Sequence, residues 1–466
     1  MVRRGFTELA VLLALAGCAR ENPLFGHTAG QSGGADGDGT GADTGVGGDD
    51  DDDIVTSSGA DGDGDSTAAT MTASATESSD GTSPTECGDG TVEGEEECDD
   101  DREFCIGCKE LGRIDWLTTY TQRGVFNDRF TGVVVTGDRI AAVGRTRTIG
   151  DPDTFGVIAL MGRDKGEVIG EPALLDASPL GTQYFGSDLF GVALDGDTLY
   201  VAGAVDDTPA AGGYGAAVLV YDVTDAPEVL GIYDGLTGNV ARAIVHDGGR
   251  IGVALANWMQ GAYGVADFAT DGSDIAYWLA VPAPNQDGSA VTVSSGDIIV
   301  GGMSEGRPFI ASALGNEPPV HWDLVDVDFE GSVQDLHPLS GDVLVAGYAG
   351  SVARTPWAGR YRSDGSQAWA WTGEAGGPAE EFEAVTIDGE GRVVLVGHIG
   401  DPTHGIVMSF EPDGSPAERR IYDELGDGTR FRDVKYSPDD GALFIVGEIP
   451  GPSDDDAFAM RARWDF

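Results

Sequence analysis

Between Phe130 and Phe466 one phrase recurs seven times: an apolar run, a Gly/Asp turn, and a second apolar run that ends near a glycine. The clearest copies are Glu383-Ala384-Val385-Thr386-Ile387-Asp388-Gly389 followed by Arg392-Val393-Val394-Leu395-Val396-Gly397, and Leu194-Asp195-Gly196-Asp197 followed by Leu199-Tyr200-Val201-Ala202-Gly203. A repeat of roughly 45–60 residues built only from short strands cannot bury its apolar faces alone. Its copies must stack into a ring or an array of small sheets. Aligned on the closing glycine, the copies fall at Gly144, Gly203, Ala254, Gly301, Gly347, Gly397 and Gly447, the third departing with Ala254-Leu255. The fold class that follows is all-β, a seven-bladed β-propeller of four-stranded antiparallel blades over residues 113–466. Such a scaffold names no function by itself, because function is grafted onto it.

The sixth copy sets out one blade: strands Glu383–Asp388, Val393–Ile399, Gly405–Phe410 and Glu418–Tyr422. Glu411-Pro412-Asp413-Gly414 is a tight turn between the last two. The two apolar strands are expected to pack sheet on sheet between neighbouring blades. The last copy reaches Phe466 directly after its third strand, while Ile114-Asp115-Trp116-Leu117-Thr118-Thr119-Tyr120 precedes the first copy and reads like a fourth strand. That N-terminal segment is expected to complete the last blade and so remove an exposed edge.

The N-terminal part has a different composition. Residues 1–17 read as an export signal, with Arg3 and Arg4 ahead of the apolar core Leu9-Ala10-Val11-Leu12-Leu13-Ala14-Leu15. That core is too short to span a membrane, and no other stretch approaches eighteen consecutive apolar residues. The core leads into Leu15-Ala16-Gly17-Cys18, which resembles the lipobox of bacterial lipoproteins. The resemblance implies a lipid-carrying Cys18 as the mature N-terminus, held on a membrane by several acyl chains. Residues 18–86 are Gly, Asp, Ser, Thr and Ala with the acidic run Asp49–Asp53, and are read as a disordered tether. A flexible coil of this length spans roughly 45 Å, and charge repulsion lengthens it. Within it Asp61-Gly62-Asp63-Gly64-Asp65 begins like a calcium loop, but Thr72 stands where a bidentate Glu is required. No cofactor is assigned beyond weak calcium association of such acidic loops.

Cys87, Cys98, Cys105 and Cys108 remain within residues 87–112, and an exported chain favours two disulfides among three possible pairings. The stretch from Cys87-Gly88-Asp89-Gly90 through Gly94-Glu95-Glu96-Glu97-Cys98-Asp99-Asp100 to Cys108 resembles a short Cys-rich repeat of myxobacterial and some eukaryotic surface proteins, departing at Asp101, where that repeat has Gly. The resemblance implies disulfide-bonded cysteines in a small spacer. Zinc on the four cysteines competes with that reading, helped by Cys105-Ile106-Gly107-Cys108, but the first pair is spaced too widely for an ordinary zinc site.

The formal charge of −53 is not confined to the tether, since residues 113–466 hold 54 acidic and 22 basic side chains. Such a surface repels phosphate backbones and excludes nucleic acid as a partner. The repeated phrase resembles bacterial delta-sixty and seven-bladed propeller repeats, with Asp456-Ala457-Phe458-Ala459-Met460-Arg461-Ala462-Arg463 nearest to their second half. In a propeller the loops between the second and third strands share a face with the blade-to-blade connections, where ligands bind. On this reading those loops carry the candidate ligand-binding residues Tyr214, Trp258, Arg354, Trp357, His398, Asp401 and His404. His398 and His404 with Asp401 between them lack an evident third ligand, so no metal set is assigned. No G-x-S-x-G, H-E-x-x-H, P-loop or dinucleotide fingerprint occurs, and no catalytic residue is assigned. The expectation is a lipid-anchored, non-enzymatic protein of the cell envelope, displayed on the outer membrane, that binds an extracellular protein or glycan. An extracellular glycan lyase or hydrolase using Arg354, His398 and His404 is the first alternative. An envelope assembly scaffold like the propeller lipoprotein of the outer-membrane β-barrel machinery is the second.

Overall fold

The computed structural model describes residues 70–75, 105–106, 109–110 and 112–464, except 122–126, 148–153, 176–186, 209–212, 225–227, 238–239, 258–261, 272–275, 280–286, 314–319, 323–328, 352, 374–379 and 452–454. Seven antiparallel sheets follow one another along the chain and close a seven-bladed β-propeller. The innermost strands, one per blade, are Arg129–Thr136, Ser187–Asp195, Val240–Asp247, Asp287–Ser294, Gly331–Leu339, Glu381–Ile387 and Arg430–Ser437. In blades 1 to 6 three further strands follow outward in sequence order. Blade 6 runs Glu381–Ile387, Val393–Ile399, His404–Phe410, Pro416–Tyr422, within two residues of the expected bounds.

The ring closes as its sequence implies. Ile114–Thr121 pairs antiparallel with Asp455–Arg463, placing Thr119 opposite Phe458, and so supplies the fourth strand of blade 7. Trp116 Nε1 donates to the Arg163 carbonyl at 3.0 Å and Thr118 Oγ1 to that of Gly166 at 2.7 Å, tying this strand to blade 1. Thr70–Ala75, inside the segment read as tether, adds a fifth strand on the outside of Ile114–Thr121. Its Thr-Met-Thr-Ala-Ser-Ala sequence has the β-propensity that the surrounding Gly/Asp stretches lack, and the free edge of Ile114–Thr121 supplies the partner. The rest of residues 18–86, the signal segment, Cys18, Cys87, Cys98 and Cys108 lie outside the described residues. Cys105 is described only as backbone, in a two-residue ladder opposite Glu110.

The core consists of apolar clusters at the blade interfaces, two of them between blades 2 and 3. Ala141 and Val143 of the second strand in blade 1 face blade 2, while Ile140 and Ala142 of the same strand face blade 7. Alternate residues therefore enter different interfaces, which is why these strands read as unbroken apolar runs. The interface that closes the ring joins Trp116, Tyr120, Phe444 and Val446 to Phe130, Val133 and Ile140.

Each innermost strand carries a bulge at the same place. The register shifts between Phe130 and Gly132, and the equivalent shift occurs at Phe190, Arg242, Ser289, Gln334, Glu383 and Arg432. The recurring glycine of the sequence phrase sits opposite the residue before the bulge, as Gly144 does to Phe130 and Gly397 to Phe382. A methyl group on Gly397 would overlap the Glu381 carbonyl oxygen, so the backbones approach too closely there for a side chain. In blade 4 the residue that fills this role is Gly302, opposite Gly288, rather than Gly301, which pairs with Ala290. In blade 3 it is Leu255, opposite Ala241, rather than Ala254.

Candidate functional site

The extra residue of a bulge is left out of the ladder and its side chain is re-aimed. Here the seven bulge residues, Thr131, Phe190, Arg242, Ser289, Gln334, Glu383 and Arg432, all border the propeller axis. They line both a chamber of about 410 Å³ on the side where the inner strands begin and one of about 290 Å³ where they run on. The ring they form is the waist between the two chambers. Some of it is structural: Thr131 Oγ1 donates to the Leu189 carbonyl of the next blade at 2.7 Å, and Ser289 Oγ does the same to Val333 at 2.9 Å. Just beyond the ring Asp335 accepts from the Val385 amide at 2.9 Å, and Asp433 accepts from Val133 at 2.8 Å. Of the remaining ring residues, Arg242, Glu383 and Arg432 carry charge.

That charge is uneven. Blade 6 brings Glu381-Phe382-Glu383 to the axis and blade 7 brings Arg430-Phe431-Arg432 beside it. In each, the central Phe points back into the core while the bulge residue that follows it, Glu383 or Arg432, lines the channel. Arg432 Nη1 lies 2.5 Å from Glu383 Oε1 and its Nη2 lies 2.7 Å from Glu448 Oε1. Arg354 Nη1 lies 2.5 Å from Glu381 Oε2 and its guanidinium stacks over Tyr348 at 4.2 Å. Arg145 pairs with Asp188 at 3.2 Å, and Arg242 lies over the Phe190 ring at 4.6 Å. The wider chamber is lined by Arg129, Arg242, Arg354 and Arg432 against only Asp287 and Glu383, with Thr131, Ser289, Ser332, Gln334 and Tyr348 as neutral polar groups. The side chains that line this chamber are thus cationic on balance, with Glu381 and Glu448 pairing Arg354 and Arg432 from behind the lining.

The electrostatics follow from crowding of charge in a recess. Burial, then Arg145 and Arg432, hold the Arg129 guanidinium down at about 10. The Glu381 carboxyl is pushed up to about 7, by burial first and then by Glu383. Burial pushes Glu383 the same way, but Arg432 and His398 outweigh it and hold this carboxyl below its usual range. Burial brings His398 down to about 4. In the narrower chamber burial raises Asp335 to about 6, while burial and Lys435 lower His337 to about 4.

The residues singled out from sequence divide sharply. Arg354 and His398 come together on Glu381, with His398 Nε2 3.6 Å from Glu381 Oε1. His398 is not on a loop: it is the penultimate residue of the strand Val393–Ile399 and is 4 % exposed. Trp357 is corrected from a ligand contact to a core residue. The hairpin before it ends by Thr355, so Trp357 lies on a strand at 0 % exposure, edge-on to Phe329 at 5.5 Å. Asp401 is exposed in the turn that follows His398. His404 pairs in register with Ile399 while His398 pairs with Gly405, so the two imidazoles leave opposite faces of the sheet. His404 Nε2 instead lies 3.8 Å from Asp427. Tyr214 pairs through its backbone with Asp206, and its side chain and Trp258 lie outside the described residues. Glu381, Glu383, Arg129, Arg242 and Arg432 went unnoticed in the sequence. The signal for Glu381, Glu383 and Arg432 was the pair of phrases Glu-Phe-Glu and Arg-Phe-Arg at one position of adjacent copies.

No protein-family model and no curated protein matches the chain. Among solved structures it is similar to the Dos1 propeller, at a TM-score of 0.43 and 9 % identity over 72 % of this chain and 93 % of that one. It is similar to the Trypanosoma rangeli sialidase in complex with the inhibitor DANA, at 0.39 and 11 % over 73 % of this chain and 56 % of that one. A protein from Lactobacillus plantarum gives 0.43 and 12 % over 68 % and 93 %. Likenesses at these scores carry nothing about ligand or activity.

Proposed function

We propose that the protein is a binding propeller that takes an anionic, hydroxyl-rich ligand, of the kind an acidic saccharide presents, in the wider chamber on its axis. The observation that carries the reading is the lining of that chamber: four guanidiniums against two carboxylates, interleaved with hydroxyl and amide groups. Guanidinium forks match carboxylates in geometry as well as charge, and in a recess they act with less screening than on the surface. Neutral polar groups between them suit sugar hydroxyls. Residues 113–466 hold 54 acidic against 22 basic side chains, so the exterior is acidic, repels anions and confines them to the axis. We further propose that Cys18 carries the lipid anchor, that residues 18–86 hold the propeller away from an outer membrane, and that the cysteines at 87, 98, 105 and 108 are disulfide-bonded. Titration calorimetry of the full chain against matched acidic and neutral oligosaccharides tests the binding reading. The acidic member of each pair should bind and its neutral or carboxyl-reduced counterpart should not. Equal binding of both, or of neither across a broad panel, would sink the idea.

A further inference from the structure

Behind the guanidiniums of the wider chamber, Glu381, Glu383 and His398 form a largely buried polar cluster. Glu381 and Glu383 flank Phe382 on the inner strand of blade 6, and the bulge at Glu383 re-aims its carboxylate to within 4.8 Å of a carboxylate oxygen of Glu381. His398, on the neighbouring strand, is the register partner of Glu381. Directly opposed residues of an antiparallel pair hold their Cβ atoms about 4.5–5.5 Å apart. One hairpin therefore collects three donor groups at a single point without help from any loop. One ligand atom from each of the three lies within 4.8 Å of the other two. His398 Nδ1 is buried without a hydrogen-bond partner, 3.8 Å from Glu383 Oε1. A buried imidazole nitrogen with nothing to bond is costly unless something fills the gap.

We propose that Glu381, Glu383 and His398 bind one divalent first-row transition-metal cation at the wall of the channel. Around such an ion, with bonds of about 2.0–2.2 Å, neighbouring ligand atoms sit roughly 3 Å apart. Glu381 Oε1 stands 3.6 Å from His398 Nε2, and Glu383 Oε1 stands 3.8 Å from Nδ1. One ion takes a single imidazole nitrogen, so side-chain rotation must draw in the second carboxylate from within 4.8 Å. Arg354 occupies Glu381 Oε2, which leaves Oε1, the oxygen facing His398 Nε2, and Arg432 occupies Glu383 Oε1, which leaves Oε2 of that carboxylate. Arg354 and Arg432 then serve as outer partners that hold the carboxylates in place, as hydrogen-bonding groups around metal ligands do. They also offset ligand charge, so affinity should be moderate and should depend on the imidazole. Two carboxylates and one nitrogen suit Mn²⁺ or Zn²⁺ better than Ca²⁺, which takes six to eight oxygens. Glu383 also borders the wider chamber, so the remaining coordination positions open toward it.

The test titrates the full chain with Mn²⁺, read by loss of the free-ion electron paramagnetic resonance signal and with no saccharide present, so that its outcome is independent of the anion reading. Mn²⁺ is chosen because thiolates bind it poorly, which keeps Cys87, Cys98, Cys105 and Cys108 out of the measurement. Wild type should take up one ion per chain at a saturable site. His398→Gln and Glu383→Gln should each weaken that site at least tenfold, while any weak association with the acidic tether stays equal in all three proteins. Absence of a saturable site in wild type, or unchanged affinity in either folded variant, overturns the proposal. Should both variants fail to fold, spin-echo modulation on wild type decides, since the bound ion must show coupling to an imidazole nitrogen and its absence is equally contrary.

Discussion

The blade interfaces and the channel lining are built by the same seven strands and obey opposite rules. At the interfaces the copies are interchangeable: small and branched apolar side chains from alternate positions fill each gap, and any blade resembles the next. At the bulge position they are not, for Thr131, Phe190, Arg242, Ser289, Gln334, Glu383 and Arg432 share a place and almost no chemistry. The repeat keeps what packs and lets vary what faces the axis. Individuality in a closed ring of near-identical units is where a ligand can be told from its competitors, and that directs attention to the channel instead of the outer loops.

The sharpest way to break the interface half of the comparison is to open the ring. Deleting residues 114–120 removes Trp116 and Tyr120 from the closing cluster together with an entire ladder. Truncating a large buried aromatic costs about 3–5 kcal/mol, so the loss should exceed roughly 8 kcal/mol and unfold a domain of ordinary stability. A truncated protein that melts like the full chain would show that the strand is only decoration. The channel half is probed by Arg432→Met, which strands Glu383 and Glu448 in a recess. The expected cost is about 3–5 kcal/mol in denaturant unfolding, against less than about 0.5 kcal/mol for Arg362→Met on an exposed hairpin.

Acid should act on the channel before the interfaces. His337 is held neutral in the fold at about 4, below its unfolded value near 6.5, so its contribution is complete above about pH 6.5 and is lost as pH falls toward 4. Asp335 works the other way, since its raised value of about 6 makes the folded state bind the extra proton and relieves a burden between about pH 6 and 4. His337→Gln should therefore remove the acid-induced loss, on the order of 2 kcal/mol, and leave a protein that gains stability on mild acidification. Unfolding midpoints measured at pH 7 and pH 4.5 would register this as a change of sign. The smallest effect belongs to Thr131→Val, which deletes one inter-blade hydrogen bond and should cost about 1 kcal/mol.

Much of the architecture could be read from the chain because it depends on local signals. Turn residues and apolar runs gave the bounds of blade 6 to within two residues, and a Trp-bearing strand ahead of the first copy announced how the ring closes. Glycine alignment failed in blade 4 only because two glycines adjoin, and the choice between them is made by a bulge on the partner strand. The site was legible in part. Arg354 and His398 were among the residues singled out, but Glu381 stands seventeen or more positions away from each; the ladder register brings it to His398, and the packing of blade 5 on blade 6 brings it to Arg354. Trp357 misled because an aromatic just after a turn reads like a loop residue, and the length of the hairpin sets its burial. His404 misled because spacing along the chain says nothing about which face a residue leaves.

Whether recognition belongs to the axis or to the outer loops comes down to one pair of variants. Calorimetric affinity for an acidic oligosaccharide should fall at least tenfold in Arg129→Gln, which takes a guanidinium from the chamber, and stay unchanged in Trp258→Ala on the segment between the second and third strands of blade 3. Full affinity in the first and loss of binding in the second would contradict a site on the channel axis.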